Sequence, residues 1–232
     1  MSIYAIADLH LSTAPGTEKP MDIFGSRWIN HAERIAENWR RIIKNEDTVV
    51  VAGDISWALK MEDARYDLEW IDRLPGRKVI FKGNHDLWWN GITRMNAMYD
   101  SITFLQHDAC CVEEGDSPVW ICGSRGWITP DDDGFTETDE KIYNREVLRL
   151  KASLERASGE ILGFLHYPPV SDPKKFSGFM QLFEDYGVKK VYYGHVHGED
   201  NFRRAIKGNY YGIEYNLISA DYLNCCPLLI RE

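Results

Sequence analysis

Residues 48–54 read Thr48-Val49-Val50-Val51-Ala52-Gly53-Asp54, a β-branched run that stops on a glycine and a carboxylate. A short apolar run bounded by turn residues is the pattern of a buried strand. The Gly-Asp pair then stands at that strand's C-terminal edge. The same arrangement recurs outward from this stretch. Ile3 to Ala7 leads to Asp8-Leu9-His10, and Val79 to Phe81 leads to Gly83-Asn84-His85-Asp86. Ile161 to Leu165 leads to His166, before Tyr167-Pro168-Pro169, and Val188 to Tyr193 leads to Gly194-His195-Val196-His197. Ile102 to Leu105, Val119 to Cys122, Glu214 to Ile218 and Leu228 to Ile230 also read as strands.

Between the early strands, apolar residues take helical spacing: Ala32, Ile35, Ala36, Trp39, Ile42 and Ile43, then Ala64, Leu68, Ile71 and Leu74. A third helix is expected over residues 139–157. Strand and helix alternate over the first hundred residues, which predicts βαβ units and a parallel sheet. The helix-poor run after Lys189 predicts antiparallel hairpins. The fold class is therefore mixed α/β. With no internal repeat and no Pro/Gly/Ser linker, residues 1–232 are expected to form one domain. Ser124 to Thr136 reads as a long exposed loop, and its Asp131-Asp132-Asp133-Gly134 misses the ligand spacing of a calcium-binding helix-loop-helix.

Composition narrows the function classes. Apolar residues at 44%, charged residues at 27% and eight tryptophans describe a folded globular chain. A net charge of -9 argues against sequence-independent binding to nucleic acid or to an anionic membrane, both of which need basic faces. Five cysteines without a C-x-x-C pair suit reduced thiols, and the N-terminus lacks the basic start of a signal peptide, so a cytoplasmic location is expected. No run is long and apolar enough for a transmembrane helix.

The chemistry is expected at the strand ends, because ligands of open α/β sheets bind outside the carboxyl edge, where loops from distant strands converge. Asp8, His10, Asp54, Asn84, His166, His195 and His197 offer carboxylate, amide oxygen and imidazole, a set suited to borderline divalent metals. Seven donors exceed what one four-coordinate ion can use, so two ions sharing a carboxylate are expected. Any one of these residues alone is more often a satisfied hydrogen-bonding group. Of the seven histidines, however, only His31 and His107 lie outside the motifs. Gly53, Gly83 and Gly194 each precede a candidate ligand, where a small residue lets the backbone bend closely.

The ordered set D-x-H, G-D, G-N-H-D, lone H and G-H-x-H, spanning residues 8–197, resembles the calcineurin-like metallophosphoesterase family. That resemblance implies a four-layer αββα arrangement, two mixed β-sheets flanked by helices. It implies Asp8, His10 and His197 on one ion, Asn84, His166 and His195 on the other, and Asp54 between them. It further implies two divalent ions drawn from Mn, Fe, Zn, Co or Ni, and a bridging water or hydroxide as nucleophile on a phosphomonoester or phosphodiester. His85, adjacent to a ligand but not one itself, is left as general acid. Many relatives carry an orienting Asp or His three residues after the bridging aspartate, and here that position is Trp57.

Two other site residues are read from the sequence. Asp86 is either a catalytic carboxylate beside His85 or a structural group bonding the loop backbone. Arg125, in Gly-Ser-Arg-Gly-Trp, could present a guanidinium to phosphate as a substrate-binding residue. Trp57, Trp88, Trp89 and Trp127 either stack on substrate or pack the core. The expected partner is a small phosphorylated substrate or a phosphoprotein rather than nucleic acid or membrane. The alternative is a non-catalytic metal-binding module that keeps the fold, which metal quantification with a substrate panel would distinguish.

Overall fold

In the computed structural model, which describes residues 1–17, 19–112 and 118–232, Thr48–Ala52 is a strand flanked by two others. β1 (Ile3–Ile6), β2 (Thr48–Ala52) and β3 (Arg77–Phe81) are parallel neighbours. Every residue of β1 and β2 is buried, which is why these strands are continuously apolar rather than alternating. The crossovers are α1 (His31–Ile42), which buries Ile35, Ala36 and Trp39, and α2 (Met61–Asp72), which buries Ala64, Leu68 and Ile71. After a short helical turn α3 (Ile92–Met95), β4 (Ile102–Leu105) follows β3 in the sheet.

A second sheet begins with β5 (Ala109–Val112), antiparallel to β6 (Val119–Ser124). β6 runs parallel to β7 (Glu160–Leu165), and β7 parallel to β8 (Lys190–Tyr193). The intervening helices are α4 (Glu137–Leu154) and α5 (Gly178–Asp185). Thr136 starts α4 with a capping box, exchanging bonds with Asp139. Gly123 on β6 is needed for strand approach, since a Cβ there would lie 2.2 Å from the carbonyl oxygen of Phe164.

The stretch after Lys189 departs from expectation. A short helix α6 (Glu199–Arg204) provides a crossover, so β10 (Ile213–Leu217) pairs parallel with β8. Only β9 (Gly208–Tyr210) forms an antiparallel hairpin with β10, and β11 (Leu228–Arg231) returns to the first sheet antiparallel to β1. The six residues of α6 were too few for their helical period to show against polar neighbours. Residues 125–136 do form a loop, but Gly126 and Thr129 are buried, and the Asp131 carboxylate accepts from the backbone nitrogens of Ser171 and Asp172. The loop is therefore anchored rather than fully exposed.

The first sheet has the order β11-β1-β2-β3-β4 and the second β5-β6-β7-β8-β10-β9, two mixed sheets with their helices, as the fold class required. They fall in two units, residues 1–104 with 218–232, and residues 105–217. Among the described residues no helix is long and apolar enough to cross a membrane.

Candidate functional site

In the first unit three loops leave the C-terminal ends of β1, β2 and β3. The first two are joined backbone to backbone: the amides of Asp8, His10 and Leu11 donate to the carbonyls of Gly53, Asp54 and Ile55 at 2.9–3.0 Å. Asp8, His10 and Asp54 are all buried, with His10 Nε2 3.8 Å from Asp54 Oδ2. All three hold left-handed backbone, with φ of 60°, 45° and 53°. Such conformations cost a non-glycine residue on the order of 1–3 kcal/mol and concentrate where the surroundings force a side chain into position.

The third loop is pinned to the second by Asp86. Its fully buried carboxylate accepts from the backbone nitrogens of Gly83 at 2.7 Å, Asp54 at 3.0 Å, Ile55 at 2.9 Å and Ser56 at 3.3 Å, and from Trp88 Nε1 at 3.2 Å. Burial, then the Asp54 carboxylate, push its pKa up, while the backbone donors pull the other way. These bonds give Asp86 a positioning role. The loops are so close that a Cβ on Gly83 would meet Asp54 Oδ1 at 2.1 Å. The backbone nitrogen of His85 in turn donates to Asp54 Oδ1 at 2.8 Å. Asn84 lies between these fixed neighbours, and the His85 side chain is exposed.

A second buried carboxylate, Asp67 on α2, was not legible as a site residue. It accepts from Thr13 N at 2.8 Å, Thr13 Oγ1 at 2.6 Å and Ser56 Oγ at 2.5 Å, and so clasps the loops that follow His10 and Asp54. His31, outside every motif, lies with Nε2 3.3 Å from the His10 carbonyl oxygen, and burial lowers its pKa. Trp57 stacks on His10 with ring centres 4.7 Å apart and lies 4.4 Å from the His85 ring. Trp88 is packed into the core, and Trp89 lies edge-on to Phe104.

In the second unit the candidate donors leave β7 and β8. The backbone nitrogens of His166 and Tyr167 both donate to the Arg125 carbonyl, at 3.1 and 2.9 Å, and Gly194 N donates to the His166 carbonyl at 3.1 Å. His166 is fully buried, with its ring 5.1 Å from that of His195. Tyr167 lies 4.0 Å from the His195 ring. His195 has a φ of 69°, and the His197 carbonyl accepts from Asn201 Nδ2. The Arg125 guanidinium is engaged by Glu146 at 3.4 Å and lies over Trp127, and burial lowers its pKa. The Trp127 indole donates to Asp139 at 3.0 Å.

Carboxylates, an imidazole and an amide in one unit, and imidazoles in the other, fit a borderline divalent metal as donors, being buried or half-buried and oriented by fixed backbone. The gene 66 protein of Mycobacterium phage L5 is 38% identical over 56 residues, 24% of this chain and 27% of that protein, so the match spans little more than a quarter of the relative's length. The phosphopantetheinyl hydrolase of Mycobacterium tuberculosis superposes with a TM-score of 0.56 at 16% identity, over 94% of this chain and 88% of that one. A protein of unknown function from Aquifex aeolicus superposes with a TM-score of 0.52 at 18% identity, over 98% and 94%. These identities bear on the fold alone. The model of the calcineurin-like phosphoesterases matches residues 1–199, and the chain belongs to that family.

Proposed function

We propose that the chain is a metal-dependent phosphoesterase that hydrolyses a phosphomonoester or phosphodiester. The reading is carried by one observation: four of the donors, Asp8, His10, Asp54 and His195, hold left-handed backbone where strands end. In this reading Asp8, His10 and His197 hold one ion, Asn84, His166 and His195 another, and Asp54 serves both. Bound divalent ions would supply a water of lowered pKa and neutralise charge on the phosphoryl group. The chain's own contributions are orientation and proton transfer. Asp54 is held by the His85 amide and by the bonds Asp86 makes to its backbone. His85, exposed beside that ligand loop, protonates the departing oxygen. Arg125 is bound to Glu146, so phosphate contact through it would require exchanging that partner.

The net charge of -9 favours small phosphorylated substrates or phosphoproteins over polyanions. The test is metal content by mass spectrometry together with a panel of monoesters, diesters, nucleotides and phosphopeptides assayed with manganese, iron, zinc, cobalt and nickel. Hydrolysis abolished by chelator and by Asp54→Ala is expected. A chain inert across the panel refutes the proposal, and one that is inert yet still holds metal is the non-catalytic metal-binding module.

A further inference from the structure

We infer that Trp57 is a positioning residue for His85, fixing the imidazole by ring contact. Trp57 stands three residues after Asp54 and is half-buried, at the end of the β2 loop. Its indole is held from three sides. The Nε1–H donates to Met21 Sδ at 3.2 Å, the Lys19 ammonium lies 3.2 Å from the ring centre, and the buried His10 ring stacks on it at 4.7 Å with planes 19° apart. A cation over an indole face and an aromatic stack each hold the ring in place. The indole therefore cannot turn without giving up several contacts.

Against this fixed plane the exposed His85 ring packs at 4.4 Å, tilted by 53°, while also lying 5.8 Å from His10. The His85 backbone is anchored separately, through its bond to Asp54 Oδ1. With the backbone anchored, the Trp57 ring occupies one side of the imidazole and excludes the rotamers that would point there. Lys19 is itself tied down, its amide donating to Ser12 Oγ at 3.1 Å, so the segment after His10 braces the indole from outside. A general acid has to lie within hydrogen-bond reach of the leaving oxygen, and narrowing its rotamers raises the fraction of time it does so.

The contact is independent of the phosphoesterase reading, and only the acid's task rests on it. The experiment has two arms. In the first, the His85 ring-proton resonances, identified by their loss in His85→Ala, should be displaced by the indole ring current. Trp57→Leu should markedly reduce that displacement, while Trp57→Phe should largely retain it. Resonances unmoved by Trp57→Leu overturn the inference.

In the second arm, turnover is compared for alkyl and p-nitrophenyl esters, since only a poor leaving group needs the acid. Trp57→Leu should slow the alkyl ester about 10–100-fold and the p-nitrophenyl ester less than about threefold, with Trp57→Phe restoring most of the loss. In a His85→Ala background Trp57→Leu should add nothing to the alkyl-ester defect. Equal slowing of both esters, a multiplying double variant, or reduced metal content would mean that Trp57 acts through His10 or the fold, and would overturn the inference. If wild-type protein hydrolyses neither ester, the phosphoesterase reading fails and the resonance arm alone judges the orientation.

Discussion

Gly83→Ala asks whether the closeness of two loops, and not ligand identity alone, makes the site. A β-carbon at this position would lie 2.1 Å from Asp54 Oδ1 and 2.2 Å from Asp54 N, whereas ordinary contact begins at 3.4 Å. One of the obstructing atoms is backbone, and that nitrogen is already bonded to Asp86 at 3.0 Å. The relief available is to part the two loops by roughly 1 Å, which stretches the bonds that Asp86 makes to Gly83, Asp54 and Ile55. Overpacking of this kind costs about 1–3 kcal/mol, and weakened bonds to a buried carboxylate raise the figure toward its upper end. Disturbing the groups that orient metal ligands lowers affinity about 10–100-fold. Urea unfolding and calorimetric titration with manganese or zinc measure the two effects. Gly91→Ala is the control, because nothing lies within 4 Å of its would-be β-carbon and its φ is -61°. A Gly83→Ala protein with wild-type unfolding midpoint and wild-type metal affinity would refute the loop packing described above.

Asp67→Ala should destabilise the chain by about 2–4 kcal/mol, since it leaves the Thr13 and Ser56 donors without their buried carboxylate, and Asp67→Asn should recover part of that loss. Equal urea midpoints for wild type and Asp67→Ala would show that the clasp carries no load. Lys78 provides a pH signature. It is buried, donates to the carbonyls of Asp72 and Leu74 at the end of α2, and its pKa is lowered to about 8 by burial, partly offset by Asp72. Between pH 8 and 10.5 the unfolded chain binds this proton and the folded chain does not, so the stability of the wild type should rise with pH relative to Lys78→Met, on the order of 1 kcal/mol. A difference that stays flat or falls across that window would contradict the assignment.

Which parts of the molecule were legible follows from where the information sits. The runs at Thr48–Ala52 and Ile102–Leu105 are strands from end to end, and in the first every residue is buried, so that burial on both faces writes itself as a β-branched run with hardly a polar position. The candidate donors stood out because each lies within a few residues of the end of a strand run. β5 was missed because Ala109-Cys110-Cys111-Val112 alternates buried and half-buried residues over only four positions. α3 and α6, at four and six residues, are shorter than two helical turns and show no period. Asp67 escaped for a different reason. Its partner Thr13 lies 54 positions away, and nothing local distinguishes it from the other acids of a polar helix face. Trp57 was noticed as a departure from the family pattern, yet its contacts with Lys19, Met21 and His10 exist only in three dimensions.

The left-handed backbone at Asp8, His10, Asp54 and His195 sets selection for stability against selection for function. Glycine adopts those angles without strain, so the strained backbone is kept in exchange for a donor atom and for the contacts each side chain makes, such as the His85 amide bond of Asp54 and the Trp57 stack of His10.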